Sequence, residues 1–236
     1  MDKSSLGDRM KEAYEARSRT YLTKRTPVIL RLDGKAFHTF TRRAKKPFDD
    51  TIIQAMQDTA RYLIDNIQGA RLAYTQSDEI SILICDYDRH ESEAWFDYQV
   101  QKICSVAASM ASAVFNRSFL GDFTGRLAMF DCRAFNIPKE EVSNYFLWRY
   151  QDWSRNSISM VAQSMFSHSQ LQGKSCDLMS TMIYEQGWRW EQYPASWTHG
   201  TFFVKSKYNE ERGGEHFADL RVDRDWINAL VKWEDT

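Results

Sequence analysis

No stretch of this 236-residue chain approaches the roughly 20 consecutive apolar residues that a membrane span needs. The opening, MDKSSLGDRMKEAYEARSR, is polar and charged and lacks the apolar run of a signal peptide. With neither span nor address, the expected setting is the cytoplasm. Cysteine is scarce. Cys85, Cys104, Cys132 and Cys176 form no C-x-x-C pair, and none has a histidine at zinc-ligand spacing. They read as buried thiols in a reducing compartment. None of the five histidines stands at metal-ligand spacing from another. Four prolines and ten glycines leave little punctuation, with no low-complexity segment and no clear linker before residue 190. The net charge of −1 means that any basic face for nucleic acid must be local.

What is present is a large apolar inventory, 43% hydrophobic and 14% aromatic, enough for one large core or a domain with a closely packed extension. Residues 6–18 suit a short charged helix. Pro27 leads into VILRLDG, a buried strand ending in a tight Asp33-Gly34 turn. Ile52, Ile53, Met56, Ala60, Leu63, Ile64 and Ile67 give 49–67 a helical period. Two apolar runs, 72–74 and 80–84, flank Gln76-Ser77-Asp78-Glu79 as a hairpin with a polar tip. A long helix is expected over 91–119 and a strand over 127–135. Pro138 stands near the start of another helix, 140 to about 166. A helix over 174–187 and strands at 201–204 and 216–222 complete the chain.

Strand, helix, hairpin, helix, strand is the order of a ferredoxin-like α+β layer, an antiparallel sheet backed by two helices on one face. Residues 1–136 form this layer. Residues 137–236 read as a helical and C-terminal extension packed on the same core. In such a layer the first strand and the hairpin can lie side by side, so that Asp33 and Asp78 emerge together. Two converging carboxylates suit Mg²⁺, which prefers hard oxygen ligands. Two ions about 4 Å apart can activate an attacking oxygen and stabilise a leaving one. Each motif alone is an ordinary turn, because Asp and Gly dominate turns. Together they point to metal-dependent phosphoryl transfer, by a polymerase, a cyclase or another enzyme of that kind.

RLDGKAFHTFTRRAKKPFDD and YTQSDEISILI resemble the tRNA-histidine guanylyltransferase family, with its bacterial and archaeal 3′-to-5′ polymerase-like members. Trp95-Phe96 with Lys102, Phe130-Asp131-x-Arg133, Tyr145-x-x-Trp148-Arg149-x-x-Asp152, Leu171-Gln172-Gly173 and His199-Gly200 extend the match over about residues 5–205. The resemblance implies a polymerase-type palm working in reverse. A tRNA 5′ end is activated by ATP or GTP, and the 3′-hydroxyl of an incoming nucleotide, usually GTP, attacks it with two Mg²⁺ ions in support. By position, Asp33 and Asp78 would be the metal carboxylates and the Gly34 carbonyl a further ligand. The backbone of Gly34, Lys35, Ala36, Phe37 and His38 would cradle a triphosphate. Lys46, Ser77 and Asn156 match positions that activate the 5′ end. Arg31, Lys102 and Arg133 match a basic set for a second triphosphate, as phosphoryl oxygens require. The family also implies a homotetramer.

Glu79 is the weaker ligand candidate, because successive strand residues face opposite sides. The eukaryotic guanylyltransferases carry His-Ile-Asn-Asn where this chain has Ser154-Arg155-Asn156-Ser157. That departure favours templated repair of 5′-shortened tRNA over addition of a single G to tRNA-His. The residues also admit a nucleotidyl cyclase and a non-catalytic RNA- or nucleotide-binding module. Intact Asp33, Asp78, Arg31, Lys102 and Arg133 argue against the non-catalytic module. Gly173-Lys174-Ser175 is not a phosphate loop, since the motif's first glycine would fall on His168. Trp188, Trp190, Trp197, Trp226 and Trp233 read as core or subunit packing.

Overall fold

The computed structural model describes residues 5–121, 125–210 and 213–232. Its centre is one antiparallel sheet in the order β4-β1-β3-β2-β5-β6. The strands are β1 (Val28–Gly34), β2 (Ala70–Gln76), β3 (Glu79–Ile84), β4 (Phe130–Asn136), β5 (Thr201–Val204) and β6 (Gly214–His216). Four helices of ten or more residues accompany it: α1 (Asp50–Asn66), α2 (Val100–Ser118), α3 (Lys139–Met165) and α4 (Cys176–Glu185). The first four strands with α1 and α2 reproduce the expected β-α-β-β-α-β layer.

Side-chain alternation divides each strand between two cores. Val28, Leu30 and Leu32 face α1 and α2, where Met56, Leu63, Ile103, Ala107 and Phe115 are buried. Ile29 faces the other way, against Val142, Phe146 and Tyr150 of α3. A third cluster, around Phe48, Trp153, Val161 and Ile183, joins α3 and α4 to the loop before α1. The sheet is thus covered by two helices on one face and by α3 with the C-terminal segment on the other. Trp190 and Trp226 are buried as expected, whereas Trp188 is half-exposed and Trp233 lies outside the described residues. Among the described residues no helix is long and apolar enough to cross a membrane.

Two expected elements differ. The helix over 91–119 begins only at Val100, because Phe96, Asp97 and Tyr98 adopt left-handed backbone with φ of 48°, 56° and 56°. No hydrophobic period reports such a break. The strand over 216–222 stops at His216. The Asp219 carboxylate accepts from the Arg221 backbone N–H at 2.9 Å and from its guanidinium at 2.7 Å. The side chain thereby turns the backbone away from a sheet ladder.

Gly200 joins the C-terminal half to the sheet. Its φ is +78°, and a Cβ there would lie 2.5 Å from the Thr75 carbonyl oxygen. We expect Gly200→Ala to lower the unfolding free energy by at least about 2 kcal/mol, measured by urea denaturation.

Candidate active site

β1 and β3 are neighbours with Asp33 opposite Glu79. One step further, the Gly34 N–H donates to the Asp78 carbonyl at 3.0 Å. The two aspartates therefore leave adjacent strand ends. Gly34 is required there by contact, since a Cβ would meet the Phe37 ring at 2.2 Å. Ala36 (φ 52°) and Ser77 (φ 49°) hold left-handed backbone without being glycine, a strain of the kind that collects at functional turns. Ala36 swings the chain into the short helix Phe37–Phe40, so residues 34–38 wrap the end of the sheet.

Beside this end opens a cleft of about 350 Å³. His38, Lys46, Ser77 and Asp78 line it, with Phe48, Trp153 and Met160 as apolar wall. The loop carrying Lys46 is tied to α1 through Asp49. That carboxylate accepts from the Lys45 N–H at 2.9 Å and caps the helix at Thr51 N–H, 3.0 Å. Sequence reasoning missed Asp49, although an aspartate just before a helical run is an N-cap signal. It also missed the wall residues, Trp153 and Met160 from α3 and Phe48 from the same loop as Lys46.

Asp33 and Asp78 have no ion-pair partner among the described residues. Burial pushes the Asp78 carboxyl above its ordinary range, and the charges of Asp33 and Glu79 add to this. A hydrogen bond from Ser77 Oγ, 3.0 Å, opposes the shift in part. Two hard, unneutralised carboxylates fit a small divalent cation that completes its shell with phosphate and water. Among the described residues no group of three or more His, Cys, Asp or Glu forms a closed metal cage.

Glu79 is spoken for. It is buried, and its carboxylate lies 2.7 Å from Arg149 Nε and 3.6 Å from Arg31 Nε. Arg149 reaches on to Asp152 at 3.1 Å. Arg31 and Arg133 stand opposite each other on β1 and β4 and share the face that carries Asp33. Lys102 is elsewhere: it sits on α2, which packs on the other face, with its ammonium 4.6 Å from the Phe96 ring centroid. Asn156 does not line the cleft; it is exposed, 3.5 Å from Asp152. The helical period carries it outward, while Trp153 and Met160 face in. His38 lines the cleft and is exposed; Lys35 is exposed but does not line it.

The arrangement is that of a palm-type nucleotidyltransferase. The profile of the tRNAHis guanylyltransferase family matches residues 7–138. A bacterial tRNA(His) guanylyltransferase-like protein in complex with ATP superposes with a TM-score of 0.89 at 44% identity, covering 96% of this chain and 99% of that one. A bacterial counterpart in complex with GTP gives 0.79 at 40% identity, covering 97% and 99%. An uncharacterised protein of Acanthamoeba polyphaga mimivirus is 30% identical over 228 residues, 85% of this chain and 77% of its own. The chain belongs to the tRNAHis guanylyltransferase family, with bacterial guanylyltransferase-like proteins among its near structural neighbours, and is a nucleotidyltransferase.

Two outcomes test the electrostatics. A folded-state pKa raised at Asp78 means stability that is full at low pH and lost as pH rises through that value. Asp78→Asn should therefore raise the Tm at pH 7, and its advantage over wild type should vanish towards pH 4 in thermal melts. Arg149→Ala should cost about 3–5 kcal/mol in urea denaturation, because it strands Glu79 in the interior.

Proposed function

We propose that this enzyme adds nucleotides in the 3′-to-5′ direction to the 5′ ends of tRNA, repairing 5′-shortened molecules against the opposite strand. The carrying observation is the convergence of Asp33 and Asp78 beside a nucleotide-sized cleft lined by Lys46 and Ser77. ATP or GTP occupies that cleft, a reading supported by the ATP and GTP complexes of the two bacterial neighbours. Its base packs against Phe48 and Trp153, and the backbone of Gly34 to His38 follows its phosphates. In the first step the tRNA 5′-monophosphate attacks the α-phosphorus and pyrophosphate leaves. Lys46 and Ser77 steady the charge that builds on the phosphoryl oxygens. In the second step the 3′-hydroxyl of the incoming nucleotide attacks the 5′ phosphorus and the nucleoside monophosphate leaves. Arg31 and Arg133 hold the incoming triphosphate.

Asp33, Asp78 and the Gly34 carbonyl would hold two Mg²⁺ ions. When bound, these supply charge stabilisation at the attacking and leaving oxygens. The templated reading over addition of a single G rests on residues 154–157. Ser157 is buried and accepts from the Trp190 indole N–H at 2.9 Å, so the position is occupied by packing. A tetrameric assembly belongs to the same reading by family resemblance, and a cytoplasmic setting is its default location.

The test is nucleotide addition by purified protein with Mg²⁺, ATP and labelled GTP. Shortened tRNAs should be extended only to the fully paired end, and Asp33→Ala and Asp78→Ala should each reduce incorporation at least about 10³-fold with the fold retained. Addition confined to full-length tRNA-His would restore the strict guanylyltransferase. Cyclic nucleotide formed without RNA would make it a cyclase. Mg²⁺ should also raise the Tm of the wild type but not of Asp33→Asn/Asp78→Asn, a readout independent of turnover.

A further inference from the structure

The face of the sheet that carries Asp33 holds an aromatic group that the cleft does not use. Trp148, on α3, keeps 48% of its surface open, although Tyr145, Phe146 and Arg149 around it are buried. Its indole is nonetheless held in place. The Arg149 guanidinium carbon lies 4.5 Å from the ring centroid and that of Arg31 5.9 Å, and Tyr145 meets it nearly edge-on at 5.9 Å. Arg149 is in turn fixed by Glu79 and Asp152. A large flat side chain already held still loses little freedom when something stacks on it.

Next to this ring the charges are unbalanced. Arg31 and Arg133 are direct cross-strand partners, and like charges so placed repel. Arg31 Nε is buried without a hydrogen bond among the described residues, and the Glu79 carboxylate near it is engaged by Arg149. The carboxylate nearest Arg133 is Asp131, 3.8 Å away. Asp33 follows two residues after Arg31 on the same face. An open aromatic plane, two guanidiniums and a catalytic carboxylate thus adjoin one another.

We propose that Trp148 is the stacking platform for the base of the incoming nucleoside triphosphate, whose phosphates meet Arg31 and Arg133. The proposal rests on the reading that nucleotides are added beside Asp33 and Asp78. An incoming base paired to a template has one face against the RNA stack and the other bare to water. A tryptophan covers the bare face whatever the base, because every base offers a π-face. Selection is then left to pairing, as templated addition requires.

The test uses shortened tRNA bearing a 5′-triphosphate, so that no activation step is needed. Trp148→Ala should raise the KM for GTP roughly 10- to 100-fold. Trp148→Phe should recover most of that, and the KM for tRNA should stay put. Adenylyl transfer to a 5′-monophosphate tRNA, read separately, should be unchanged. With ATP already filling the cleft beside Trp153, added GTP should quench tryptophan fluorescence in the wild type and much less in Trp148→Phe, whether or not RNA is extended. An unchanged KM for GTP in Trp148→Ala overturns the proposal. So does a rise in the KM for tRNA alone, which would assign Trp148 to the RNA. An altered oligomeric state, or a lowered Tm with equal loss in both steps, overturns it too. Failure of the wild type to extend any tRNA would instead refute the reading beneath it, leaving the quenching to judge Trp148.

Discussion

The pairing of β1 with β3 is the constraint on which the site depends. Antiparallel register puts Asp33 opposite Glu79, and the turn at Ser77-Asp78 then has nowhere to go but beside Gly34. A slip of one residue would send Asp33 into the core under α1 and α2 and Leu32 onto the charged face that carries Arg31 and Glu79. The hydrophobic alternation of Val28 to Leu32 therefore protects the chemistry as well as the fold. Both strands are flanked on either side within the sheet, which restrains them further.

The neighbouring acids divide by environment. Glu79 is buried and paired, so its charge serves to bind α3 to the sheet through Arg149. Asp78, one residue earlier, has no such partner among the described residues, and its burial makes it keep its proton more tightly. A two-residue stretch thus holds one carboxylate that stabilises the protein and one whose ionisation opposes stability. Strain at Ala36 and Ser77 belongs to the same pattern, in which local cost is tolerated where the surrounding sheet fixes the geometry.

Much of this is legible in the sequence. Strand and helix periods define the layer from Val28 to Asn136, and its order brings Asp33 near Asp78. The period-two rule sets Glu79 apart from Asp78. The remaining features are hidden for identifiable reasons. The left-handed turn at Phe96–Tyr98 is made without glycine, so no residue type signals it. The Asp219–Arg221 contact is a local competition that alternation cannot report. Asn156 and Lys102 are grouped with the site by motif position alone, and helix phase sends each away from the residues it is grouped with. Part of the cleft wall, Trp153 and Met160, comes from α3, which follows the hairpin only after α2 and β4.

The packing of Ser157 constrains how this helix can change over time. Its hydroxyl accepts from the Trp190 indole and donates to the Ser154 carbonyl, in a space with no measurable exposure. A larger side chain such as asparagine has no room at this point unless Trp190 moves. Substitutions at the two positions are therefore epistatic, and neither is neutral while the other stays as it is. A larger side chain at position 157 therefore requires a coupled replacement at position 190, so this stretch of α3 cannot change one residue at a time.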